Sequence, residues 1–250
     1  MLKNRFAFYK QNLHFFFSSK HFQYLLIFMI IIAMYGTFVL TIWNNSRLEY
    51  FDAYLAIFNN RTFILFLLIL SLLTTVIVNQ NTIHNEFYAI RFHHKKIFLK
   101  EYIIQIILIN IILYFMLLII ILIGLNIFCS HGLGIHEMYP YNINNVVYSS
   151  FFTIKNAIIL LCIAVMNGLV LTLFSRIFVI IINCIYYVSI FFASPTLILG
   201  ELKLNLIDNL TIQSYSSFFN DIFFSILYIL LLIFAIFIMK IICEEHMRQV

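Results

Sequence analysis

Long apolar runs alternate with short polar connections along nearly the whole chain, and the runs set the elements. Stretches 24–43, 62–78, 102–128, 157–174, 177–199 and 222–242 are apolar enough to be transmembrane helices, since one crossing takes about 20 such residues. Residues 1–22 follow a different rhythm. Leu2, Phe6, Tyr9, Leu13, Phe16 and Phe17 recur at helical spacing, while Lys3, Lys10, Gln11, His14 and Ser18 fall on the other side. That pattern predicts an amphipathic helix lying in the headgroup layer before the chain enters the bilayer. The run that follows is too long for a signal-peptide core and closes on Trp43-Asn44-Asn45 rather than on small residues, so it is expected to be retained as a span. The pattern predicts an all-α integral membrane protein: one transmembrane domain over residues 1–250, with six transmembrane helices and an N-terminal amphipathic interfacial helix.

Composition agrees with the pattern. Hydrophobic residues make up 64% of the 250 and charged residues 10%, with a mean hydropathy of +1.02; soluble domains run about 45–50% apolar and about 25% charged. A net charge of +5 would admit nucleic acid as a partner, but the bases sit in short connections and follow topology instead. Eleven Lys and Arg (Lys3, Arg5, Lys10, Lys20, Arg91, Lys95, Lys96, Lys100, Arg176, Lys240, Arg248) fall on one side of the expected bundle. Four (Arg47, Arg61, Lys155, Lys203) fall on the other. The positive-inside rule then puts both termini in the cytoplasm of a cell membrane. Cys129, Cys162, Cys184 and Cys243 have no CxxC spacing and read as small packing residues rather than a disulfide or zinc framework. The richness in Ile, Asn, Lys, Phe and Tyr suggests AT-rich coding and a bacterial source.

Three connections are expected outside: 44–61, 129–156 and 200–221. Pro195 lies inside the fifth apolar run and removes a helix hydrogen bond, so that span is expected to break near its outer end. The moderately apolar LILGELKLNLIDNL after it predicts a short re-entrant or interfacial piece. Ser175-Arg176 is a tight turn that makes spans four and five antiparallel neighbours.

On these boundaries the one Asp, Glu, Lys, Arg or His inside a span is Lys240, at the cytoplasmic end of the last, so the chain is expected to lack its own ion-coupling site. Its intramembrane polar residues are amides and hydroxyls, which more often join helix to helix than touch a substrate. Gln105, Asn110, Asn167 and Asn183 are the four nominated for a substrate path. His84, His93 and His94 with Glu86 could be imagined as a metal site, but adjacent histidines on a helix point about 100° apart, so no metal site is expected. Glu244-Glu245 with Arg248 superficially resembles the Glu-Glu motif of the prenyl-protein protease family, with the spacing to Arg248 one residue short. No catalytic residue is expected, and no GxxxxGK[ST] phosphate loop is present. Any ATP hydrolysis must come from another chain.

The segment 79–101, NQNTIHNEFYAIRFHHKKIFLKE, is the longest strongly polar stretch between apolar runs. Ile83, Phe87, Ile90 and Ile97 share one helical side, while Glu86, His93 and Lys100 share another. This predicts an amphipathic helix on the cytoplasmic side, its acid near the start and its bases toward the end, as the helix dipole favours.

With these features the chain resembles the membrane subunits of ABC exporters of the ABC-two permease class. The resemblance covers the whole length: an N-terminal connecting helix, six spans, a coupling helix between spans two and three, and a broken outer segment between spans five and six. Glu86, then Arg91 with Lys95 and Lys96, then Lys100 look like the acid, basic stretch and span-three Lys of the family's coupling segment. The Gly-Thr and Pro often found there are missing, as is a Pro-rich outer loop. The resemblance implies a coupling helix of Glu86, Phe87, Ile90, Arg91, His94, Lys95 and Lys96 docking on separate ABC ATPase subunits that bind ATP and Mg. It also implies a second permease subunit, identical or not, membrane lipid around the bundle, and no cofactor in this chain. The aromatic-rich, uncharged interior suits an amphipathic, bacteriocin-like peptide as cargo, for export or immunity. The alternative is a non-transporting membrane immunity or scaffold protein.

Overall fold

A computed structural model describes residues 2–39, 49–83, 95–128, 137–138, 143–192, 198–199, 202–203, 206–211 and 217–249. Its elements in chain order are α1 (Leu2–Ser18), α2 (Lys20–Met34) running into a π-helical turn Tyr35–Val39, α3 (Tyr50–Asn59), α4 (Arg61–Ile83), α5 (Lys95–Phe128), α6 (Asn145–Leu173), α7 (Arg176–Phe192), α8 (Leu206–Leu210) and α9 (Phe218–Gln249). Two antiparallel two-residue ladders complete it: β1 (Glu137–Met138) with β2 (Ile143–Asn144), and β3 (Ile198–Leu199) with β4 (Leu202–Lys203). Five helices are long and apolar enough to cross a membrane, over Lys20–Phe38, Arg61–Asn81, Ile97–Phe128, Asn145–Leu173 and Phe218–His246. The architecture is that of an all-helical, multi-pass membrane protein.

Helix α6 is the axis. It packs on α9, α4, α5, α3 and α7, and its polar residues bond in several directions. Tyr102 of α5 donates to the Gly168 carbonyl at 3.3 Å, and Asn79 of α4 donates to Leu171 O at 3.2 Å. Near the other end of α6, Tyr114 donates to Thr153 O at 3.4 Å and Tyr54 meets Thr153 Oγ1 at 2.5 Å. The two tyrosine pairings of α5 make it antiparallel to α6, and Thr75 beside Gly168 with Asn79 beside Leu171 makes α4 parallel to it. Close approach is bought with glycine: a Cβ on Gly168 would lie 2.2 Å from Ile106 Cδ1, and one on Gly124 2.7 Å from Thr37 Cγ2. Small residues at such crossings let backbones approach where no water is available to drive burial. In contrast α7 and α9 expose rows of large apolar side chains, Ile177, Ile181 and Ile185 on one, Phe223, Leu230 and Phe237 on the other. In a membrane these rows face acyl chains.

Several boundaries differ from the sequence expectation. The N-terminal helix ends at Ser18, because Ser19 adopts extended backbone (φ −74°, ψ 147°) and its hydroxyl accepts from Phe22 N, capping a new helix. Residues 50–59, expected as outer loop, form α3, with Ala53, Tyr54, Leu55, Ile57 and Phe58 buried. Asn60 separates α3 from α4, its Oδ1 accepting from Phe63 N. The fourth expected span begins twelve residues earlier than 157, at Asn145, whose predecessor Asn144 caps it by accepting from Val146 N. The fifth, expected over 177–199, is described over Arg176–Phe192 as a shorter apolar helix that is not among the five long ones. The break expected at Pro195 lies outside the described residues. The expected re-entrant piece has a counterpart in α8, whose Leu206, Ile207 and Leu210 are buried against α4, α6 and α7. Its Leu210 carbonyl accepts from Asn156 Nδ2 at 3.1 Å, so a carbonyl at the helix's C-terminal end is met by a protein donor, as an apolar surrounding requires.

Candidate functional site

The longer α6 overturns one expectation from the sequence. Lys155, expected in an outer connection, is a residue of α6, and Asp221, expected at the end of another, is a residue of α9. Both lie within helices long and apolar enough to span a membrane, so ionisable groups do enter the long apolar helices. Hydropathy alone had started the spans at 157 and 222, just past both residues.

The two side chains are 2% and 0% exposed and lie 3.7 Å apart, Lys155 Nζ to Asp221 Oδ1. Asp221 is well served: Tyr148 donates to Oδ2 at 3.0 Å and Ser225 to Oδ1 at 3.2 Å. Among the described residues the Lys155 ammonium makes no hydrogen bond, and it sits 4.8 Å from the centre of the Phe152 ring and 5.8 Å from that of Phe151. A ring quadrupole stabilises a desolvated cation in this position. The pair thus neutralises itself inside the protein and joins α6 to α9 at one end. At the other end Cys243 of α9 donates to Leu169 O and accepts from Thr172, each at 3.4 Å. Held at both ends, α9 leaves most of its length to lipid.

A second polar group lies at the opposite end of the bundle. Tyr9 of α1 donates to Glu101 Oε2, and Asn12 donates to Gln105 Oε1 at 3.2 Å. Glu101, Gln105 and Asn12 are all buried. Helix α1 therefore turns Tyr9, Asn12 and Phe16 inward and clasps the start of α5, with Lys10 and His14 outward.

The four residues nominated for a substrate path do not converge. Asn110 lines a cavity of about 60 Å³ between α4, α5 and α6, with Ser71 and Thr74; Ser71 donates to its Oδ1 at 3.4 Å. Gln105 serves the α1 clasp. Asn167 donates to Tyr187 of α7 at 3.1 Å, and Asn183 to Val179 of its own helix at 2.9 Å. Of the coupling residues, Lys95 and Lys96 open α5, while Glu86, Phe87, Ile90, Arg91 and His94 lie outside the described residues, as do His84, His93 and Cys129.

Sequence reasoning missed Lys155, Asp221 and Glu101. The signal available was spacing: Tyr148, Phe151, Phe152 and Lys155 recur at helical intervals upstream of the apolar run, marking one face of a helix that begins before it. Comparison with protein-family models, curated proteins and solved structures finds no match to this chain.

Proposed function

We propose that the chain is the permease subunit of an ATP-driven exporter of the ABC-two class, working with a second permease subunit and separate ATPase subunits that bind ATP and Mg. On this reading it spans the plasma membrane of a bacterium six times, the short α7 included, with both termini cytoplasmic. The observation that carries the proposal is α5. It runs unbroken for 34 residues from Lys95, about 50 Å at 1.5 Å per residue, against a hydrocarbon core of about 30 Å. It begins where the Glu86–Lys96 coupling segment ends, and α1 clasps its first turns through Glu101 and Gln105. A rigid rod gripped near its base and buried against α6 can carry a displacement of the coupling segment into the bundle.

The polar interior supports the same reading. Lys155 and Asp221 compensate each other and the Asp221 oxygens are filled by Tyr148 and Ser225, an arrangement suited to holding helices together rather than to binding a coupling ion. The cargo assigned is an amphipathic or membrane-active peptide, exported or expelled for immunity.

The test is reconstitution with a candidate ATPase. Glu86→Ala together with Arg91→Ala is expected to abolish permease-stimulated ATP hydrolysis while the protein still inserts. Normal stimulation in the double variant overturns the coupling role. Failure of any ATPase to co-purify, with peptide bound by the chain alone, favours the non-transporting immunity or scaffold reading instead.

A further inference from the structure

A second, wider cavity of about 330 Å³ opens between α3, α5 and the first turns of α6. It is separate from the Lys155–Asp221 cluster. Five hydroxyl side chains line it, Tyr50, Tyr54, Ser149, Ser150 and Thr153, and among the described residues no charged one does.

Where the hydroxyl protons go decides what the cavity can bind. Ser149 donates to Asn145 O at 2.7 Å, Ser150 to Val146 O at 2.9 Å and Thr153 to Ser149 O at 2.7 Å. Tyr50 donates to Leu122 O at 3.4 Å. With the Thr153 proton spent on its own helix, the 2.5 Å contact between Tyr54 and Thr153 Oγ1 is a bond donated by Tyr54. A serine hydroxyl has one proton and two lone pairs, so Ser149 and Ser150 turn acceptors toward the space. A lining of acceptors repels phosphate and carboxylate oxygens. With no acid among the described residues that line it, it offers nothing to neutralise a cation. It fits a neutral group that donates a hydrogen bond.

The remaining walls are Phe51, Leu118, Leu122 and Ile154. Leu122 and Ile154 are exposed, and Ile119, Ile123 and Ile158 continue the exposed apolar surface beyond them. From Ile154 to the end of α6 at Leu173 is 19 residues, about 29 Å of helix, close to the thickness of the hydrocarbon core. The hydroxyls therefore lie at the level where acyl chains give way to headgroups, with the mouth open to the acyl side.

The geometry points to a binding site for a neutral, hydroxyl-headed lipid of the diacylglycerol kind, its one alcohol proton donated to Ser150 beside Ser149 and its chains lying over Leu122 and Ile154. The inference goes beyond the permease reading and does not rest on it, since binding is measured without an ATPase.

The full chain in phosphatidylcholine nanodiscs is labelled with a diacylglycerol carrying a diazirine near its head. Cross-links are expected in 50–54 and 149–154. They should be competed by unlabelled diacylglycerol but not by its O-methyl ether, which differs only in lacking the donor. Ser150→Trp fills the cleft and should remove the cross-link. Ser150→Ala, at an exposed helix position that tolerates it, removes one acceptor worth about 1 kcal/mol and should weaken labelling about fivefold. Equal competition by the methyl ether overturns the proposal, as does labelling spread along the lipid-facing rows of α7 and α9. Labelling that neither Ser150 variant changes overturns it too.

Discussion

Removing one member of the Lys155–Asp221 pair should cost far more than removing both. In Lys155→Met the carboxylate keeps its bonds from Tyr148 and Ser225 but loses the only cation the described residues place on it, 3.7 Å away, in a site where the side chain is 0% exposed. Breaking a buried pair in this way costs about 3–5 kcal/mol, which is about a hundredfold to several thousandfold in the unfolding equilibrium. Asp221→Asn preserves the shape and the two hydroxyl partners but leaves an ammonium with no hydrogen bond and only the Phe152 and Phe151 rings against it. Those rings offset about 2 kcal/mol, less than the cost of a buried unpaired charge, so this variant is also strongly destabilised. In the double variant Lys155→Met, Asp221→Leu no buried charge remains, and the cost of desolvating two ions disappears with their attraction. It should return to within about 1–2 kcal/mol of the parent, the residue being the unsatisfied Tyr148 and Ser225 hydroxyls. The assay is reversible unfolding in mixed micelles against denaturing detergent, followed by far-ultraviolet circular dichroism. A double variant as unstable as the sum of the singles would refute the reasoning, because the two charges would then be acting independently.

Gly168→Ala gains about 1 kcal/mol of helix propensity, yet places a Cβ 2.2 Å from Ile106 Cδ1 in a fully buried site. Overpacking of about 1–3 kcal/mol should leave it destabilised in the same assay. Ile106→Val deletes the offending atom, so Gly168→Ala with Ile106→Val should recover stability, and a double variant worse than either single excludes this contact as the cause. In the short helix α3, burial pushes the Tyr54 phenol up to about 12. The neutral form is the one the fold favours. Its contribution to stability is whole below the ordinary tyrosine value of about 10 and is lost as pH rises from there through about 12. The difference in phenolate absorbance between the parent and Tyr54→Phe should be flat through pH 10, and a tyrosinate signal there would show the phenol to be solvated.

The membrane class and the approximate positions of most spans were legible in the sequence, because burial in lipid demands a long apolar run whatever the run packs against. Helix starts were less legible. Hydropathy registers the bilayer, whereas α6 continues past it to Asn145 because Asn144 caps it there and Tyr148 and Phe152 are buried by other helices. The depth of Lys155 followed from that extension. Only the tertiary structure decided that its charge is met by Asp221, far along the chain on α9, that Tyr9 reaches Glu101, and that three serine and threonine protons turn back onto α6 to leave a cleft of acceptors. An ionisable or hydroxyl group looks the same in sequence whether it meets water, lipid or a partner. Its chemistry is set by what surrounds it, and the neighbours here come from helices that no local pattern pairs.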